Sequence, residues 1–255
     1  MALTPFDHLL AVILVVVIPL RSRVVGFRRV ARAAPEEQPR VRRQLYLQAM
    51  RIQSGLALAL AVLWLAARPG PRTAAALGLG VRSISTFLAG AGAALVIALI
   101  LFVQARRVSN NERSLERVRP KLERILLVLP HTVEERRLFL WLSLTAGVCE
   151  ELLYRGFLFF YLGHWMPPLA GLAVSSVIFG LGHVYQGVRG VLLTGLVGAF
   201  FGAAYMLCGS IAPAMVLHAA GDMYSGWIGH AALRREAEAP GGPLTDPAYD
   251  LPRTP

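Results

Sequence analysis

Five side chains able to move protons or hold charge stand in segments that otherwise read as lipid-soluble. Glu150 and Glu151 are adjacent in "CEELLYRG" (149–156), His183 closes "FGLGH", and His218 and Asp222 bracket "HAAGD". An ionised carboxylate at the centre of a membrane helix costs about 2.5–3.5 kcal/mol on insertion scales, and such groups usually face a bundle interior and mark function. The bland alternative is a structural ion pair or polar glue between helices. Five such residues in three separate apolar segments favour a site.

Helical spacing sorts their roles. Glu151 and Arg155 are four apart and share a face, so they neutralise each other, with Arg offering a bidentate fork. Glu150 points about 100° away, lacks that local partner, and is the candidate general base. Phe179 and His183 share a face at i and i+4, as do His218 and Asp222. The small residues around them (Gly180, Gly182, Ala219, Ala220, Gly221) permit close helix approach and leave room for water or a peptide backbone.

The elements that carry these residues belong to a membrane protein. Of 255 residues 55% are hydrophobic and only 16% charged, against about 25% charged in soluble domains. The net charge of +11 does not point to nucleic acid, because the arginines cluster between apolar segments. Seven candidate spans lie near 6–20, 45–67, 83–104, 136–164, 168–185, 188–208 and 211–231, each close to the ~20 residues a bilayer needs. The first follows Asp7 with no preceding Lys or Arg, unlike a cleavable signal peptide. With seven spans, 22 of the 26 basic residues fall on one side, and Arg68, Arg72 and Arg82 on the other. The positive-inside rule then puts the N-terminus outside and the C-terminus in the cytoplasm. The expected fold is an all-α, polytopic transmembrane helical bundle. On this topology His183 lies nearer the cytoplasmic end of its helix and His218 nearer the outer end. The helices must tilt, or the boundaries shift, for the two to meet.

Four regions follow. Residues 1–104 form an N-terminal three-span membrane region. Residues 105–134 form a basic cytoplasmic loop with an amphipathic helix: "SNNE" (109–112) fits a capping box, and Leu115, Val118, Leu122, Ile125, Leu126 and Leu129 make one apolar stripe, read as lying on the membrane surface. Residues 135–231 hold the catalytic core, and 232–255 a Pro-rich tail read as disordered. Gly198 and Gly202 read as helix packing. Trp64, Trp141, Trp165 and Trp227 read as interfacial anchors, and Cys149 and Cys208 as small buried hydrophobes.

In order, the three motifs resemble the CAAX prenyl protease and bacteriocin-processing (CPBP, or Abi) family of intramembrane endopeptidases. Its pattern is E-E-x-x-x-R, F-x-x-x-H and H-x-x-x-N or D, met here by Glu150-Glu151-x-x-x-Arg155, Phe179-x-x-x-His183 and His218-x-x-x-Asp222. The resemblance implies that Glu150 activates water with help from His183, and that His218 and Asp222 stabilise the oxyanion or orient its stabiliser. It implies that Glu151 and Arg155 support their helix and that Phe179 packs beside the site. The implied partners are a peptide or protein substrate at the membrane and the lipid bilayer, with no nucleic acid, in a bacterial inner membrane. The prenyl-protease branch typically has Asn where this chain has Asp222, so Asp222 must be protonated, orient His218, or bind metal. No cofactor is favoured. Zinc is the alternative, with Glu150, His183, His218 and Asp222 as a nitrogen and oxygen ligand set. The metal-free form is preferred because a zinc site also needs a separate base. A non-catalytic scaffold or transporter is the competing class.

Overall fold

The computed structural model describes residues 3–66 and 72–238; Arg68 and the tail from 239 lie outside the described residues. Thr4 opens the first helix with a reciprocal capping box, its hydroxyl accepting from the Asp7 amide while the Asp7 carboxylate accepts from the Thr4 amide at 2.7 Å. The helix runs without a break through α1 (Pro5–Val12), a π-helical stretch (Ile13–Val17) and α2 (Ile18–Ala31). There follow α3 (Gln38–Ala66), a 3-10 turn (Ala75–Leu77), α4 (Ile84–Ser109) and α5 (Glu112–Leu126). The second half holds α6 (Val133–Glu151), a second π-helical stretch (Leu152–Leu158), α7 (Phe159–Leu162), α8 (Pro168–Leu181), a 3-10 turn (Val184–Gln186), α9 (Gly187–Cys208) and α10 (Ala212–Glu238).

The fold is all-helical, with no strand among the described residues. Among the described residues four helices are long and apolar enough to cross a membrane: Pro5–Ser22, Gln38–Ala66, Ile84–Ser109 and Val184–Cys208. The other three expected spans do form helices, in α6 to α7, α8 and α10, but do not meet that measure, so a count of seven is not established. Leu58, Val62, Leu88, Leu95 and Leu99 turn outward from α3 and α4 and are exposed. Apolar faces of that extent need a hydrocarbon environment.

Two close approaches bring the second-half helices together. A Cβ on Gly147 would lie 2.8 Å from the Ala219 Cβ and 2.8 Å from the Met215 carbonyl oxygen, so α6 meets α10 backbone to backbone. A Cβ on Gly180 would lie 2.5 Å from the Val191 carbonyl oxygen, so α8 meets α9 the same way. The main core surrounds the second π stretch. There Leu10, Leu14, Leu60 and Trp64 from the N-terminal helices pack with Leu153, Tyr154, Phe157 and Phe179.

Several expectations change. Asp7 and Arg72, read as loop charges, form a fully buried ion pair, Arg72 Nη1 donating to Asp7 Oδ1 at 3.0 Å. Glu135, to which the sequence assigned no partner, is buried against Arg42 at 2.9 Å. Trp64 is no interfacial anchor: it is buried under the Arg72 guanidinium, and its indole N–H donates to the Thr73 carbonyl at 3.1 Å. The cap of α5 is Asn111, which accepts from the Ser114 amide at 3.0 Å, two residues beyond the expected Ser109. The α5 stripe packs on the protein itself: Leu115 is buried with Ala105 of α4 and Ile228 and Ala232 of α10. Finally, α10 continues helical to Glu238, into the segment expected to be a disordered tail.

Candidate active site

Glu151 lies at the end of α6, fully buried. Arg155 Nη1 donates to its Oε1 at 2.8 Å, the pairing that the four-residue spacing predicts. The second Arg155 nitrogen, Nη2, donates to the Gly198 carbonyl of α9 at 2.8 Å. Gly198 is small for a reason: a Cβ there would lie 3.0 Å from Arg155 Nη2 and 3.0 Å from the Phe179 ring. The guanidinium also sits 4.3 Å from the centre of that ring, a cation–π contact in a dry setting. Both Gly198 and Gly202 therefore serve packing within the chain, Gly202 against Leu172 of α8.

The same Glu151 oxygen takes a second partner that the sequence did not reveal. His218 Nδ1 lies 2.8 Å from Glu151 Oε1. A carboxylate only accepts, so Nδ1 carries the hydrogen. This turns His218 Nε2 toward two other carboxylates, Glu150 Oε2 at 3.9 Å and Asp222 Oδ2 at 3.8 Å. Phe201 stacks on the imidazole with ring centres 5.3 Å apart, fixing its plane.

His183 reaches the same place by a short helix. Helix α8 spans 14 residues, roughly 21 Å at 1.5 Å each, well short of the ~30 Å hydrocarbon layer. His183 lies just beyond its C-terminal end and lines the same cavity as His218, so the two histidines meet at one site. Phe179 packs edge-on against His218 at 5.8 Å and lies tilted against His183 at 5.1 Å. His183 Nδ1 donates to the Phe179 carbonyl at 3.0 Å, which leaves Nε2 for other work.

Glu150, His183, His218 and Asp222 all line one cavity of about 650 Å³, within the size range of small-molecule and peptide sites. Its walls are mostly apolar, aliphatic and aromatic, with Leu14, Ile52, Leu142 and Phe201 among them. Gly221 lines it with open space where a side chain would stand. Glu151 and Arg155 stay buried behind His218. The two adjacent glutamates are thus separated as expected, one facing the cavity and one in the wall. Glu150 has a neighbour that motif reading missed: Gln53 Nε2 of α3 donates to its Oε1 at 2.6 Å. The signal for it was an amide side chain at the start of an apolar run, "RIQSGLALAL". Among the described residues no group of three or more His, Cys, Asp and Glu side chains is arranged to hold a metal ion, so the four as placed do not fit the zinc set.

A glutamate, two histidines and an aspartate thus surround one apolar cavity in a helical bundle. Residues 133–224 match the model of the Rce1-like family, type II CAAX prenyl endopeptidases. This bears out the resemblance carried by the three motifs, all of which fall inside the matched segment. At the level of the family, that segment is similar to CAAX-type membrane endopeptidases. Comparison with curated proteins and with solved structures gives no match.

The Glu151 network yields a stability prediction. Glu151→Gln leaves the buried Arg155 charge without a counter-charge and removes the anionic acceptor of His218. Breaking a buried pair by removing one partner costs about 3–5 kcal/mol. The purified variant is expected to unfold at clearly lower temperature than wild type and to give less folded protein. An unchanged melting temperature in detergent would show that the pair is not structural.

Proposed function

We propose that this protein is an intramembrane endopeptidase that hydrolyses a peptide bond of a membrane-associated protein or peptide with glutamate-activated water. The observation that carries the reading is the division of labour between the adjacent glutamates: Glu150 lines the cavity with His183, His218 and Asp222, while Glu151 is spent on Arg155 and His218. In this reading Glu150 takes a proton from water as it attacks the scissile carbonyl, helped by His183. The oxyanion takes its hydrogen bond from His218 Nε2–H of an imidazolium, or from a protonated Asp222. The proton held by Glu150 then passes to the leaving amine. The Rce1-like match supports prenylated C-termini as one substrate class; leader peptides and C-terminal sorting anchors are others of the same chemistry. A bacterial inner membrane is the location we propose.

The test is cleavage of prenylated and unprenylated reporter peptides by the purified protein in detergent. Glu150→Gln keeps the shape and removes the base, so cleavage should fall to near background while the melting temperature stays at the wild-type value. An active Glu150→Gln beside a folded but inactive Glu151→Gln would reverse the two assignments. Equal, unmeasurable cleavage by wild type and variant would favour a non-catalytic scaffold.

Asp222 separates the metal-free reading from its zinc-dependent alternative. Asn keeps a hydrogen-bond donor at this position, so Asp222→Asn should retain substantial activity. Asp222→Ala should lose about 10²–10³-fold, the effect of one oxyanion donor. Stoichiometric zinc in the purified protein, lost together with activity in Asp222→Asn, would overturn this and move the four residues to metal binding.

The orientation proposed is N-terminus out and C-terminus cytoplasmic, supported by the arginine asymmetry. Single cysteines placed in the segment 105–135 should label only from the cytoplasmic side of right-side-out vesicles. Labelling from outside would reject the topology.

A further inference from the structure

The first three spans lie outside the matched segment, and the motifs assign them nothing. The structure gives one face of α3 a place in the site: Ala49, Ile52, Gln53 and Leu56 line the cavity, at the spacing of a single helical stripe. Gln53 is the polar member of that stripe nearest the chemistry. Its Nε2 donates to Glu150 Oε1 at 2.6 Å. An ionised carboxylate can only accept, so the amide orientation follows from chemistry: NH₂ faces Glu150 and the carbonyl oxygen faces away. That carbonyl oxygen is buried and has no hydrogen-bond partner among the described residues. A buried acceptor left unmatched carries a desolvation cost. The amide is held in this orientation by its single strong, charge-assisted bond.

We infer that Gln53 is a positioning residue for the proposed base, fixing the Glu150 carboxylate toward the cavity from a helix outside the family segment. Glu150 has several rotatable bonds, and its other near polar neighbour, His218 Nε2, stands at 3.9 Å, beyond a hydrogen bond. Gln53 is therefore what sets the carboxylate's direction. Misplacement of a reacting group by about 1 Å can cost on the order of 10²-fold in rate. The inference rests on Glu150 being the base and adds that the site is completed by α3.

The experiment compares wild type with Gln53→Met, which keeps chain length without a donor, and Gln53→Asn, which keeps the amide but falls one methylene short. Both are assayed on the same reporter peptides in detergent, with melting temperatures measured alongside. Expected is a fall in kcat of roughly 10–100-fold in each, with KM within about twofold and the melting temperature unchanged. A purely structural role would lower the melting temperature and the fraction of active enzyme together. A substrate-binding role would raise KM with kcat preserved. Either pattern overturns the inference, as does a Gln53→Met enzyme that matches wild type, and these leave the protease reading intact. A folded wild type that cleaves none of the peptides removes that reading and this inference with it.

Discussion

One carboxylate oxygen holds the second half of this molecule in register. Glu151 Oε1 accepts from Arg155 and from His218, while the other side of Arg155 reaches the Gly198 carbonyl. Three helices, α6, α9 and α10, are tied through a point with no access to water. An isolated charge there would be prohibitive, so each member of the network is tolerable only because the others are present. The remaining oxygen of Glu151 is buried without a partner among the described residues, which concentrates the whole arrangement on Oε1. The site inherits its geometry from this: the His218 ring points its free nitrogen into the cavity because its other nitrogen is already committed.

Around that point the packing is built from what side chains leave out. Gly147 lets α10 lie on α6 one helical turn before the glutamates, and Gly180 lets α9 lie on α8 just before His183. The π-helical stretch at Leu152–Leu158 follows directly after Glu151 and contains Arg155. Such wide turns recur at functional sites because they re-aim side chains without breaking the helix. Phe179 then fills the centre, touching the Arg155 guanidinium and the rings of Tyr154, His183 and His218.

What could be read from the sequence was local in character. The Glu151–Arg155 pair depends only on helical spacing, and it is present as the spacing requires. The all-helical bundle follows from apolar runs of spanning length. Burial of charge by distant partners was not legible. Asp7 and Arg72 are separated by most of the first half of the chain, and no periodicity links them; each alone looks like a loop charge. Gln53 and Glu150 meet across a wider gap still, 97 residues. The α5 stripe was visible, but an amphipathic pattern states only that one face is apolar, not whether lipid or protein covers it, and here α4 and α10 do. That His183 meets His218 depended on where α8 ends, and helix ends are the least determined feature of an apolar stretch.

The order of these partners along the chain has a consequence for how the molecule enters a bilayer. Arg155 follows Glu151 within a single helical segment, so the two charges can cancel as that segment forms, before α9 and α10 have been synthesised. Gln53 precedes Glu150 and is already in place when it arrives. His218, the last partner, comes to a carboxylate that is already neutralised. The costly groups of the site thus travel into the membrane in matched sets, and the final helix closes a site whose other half has been assembled ahead of it.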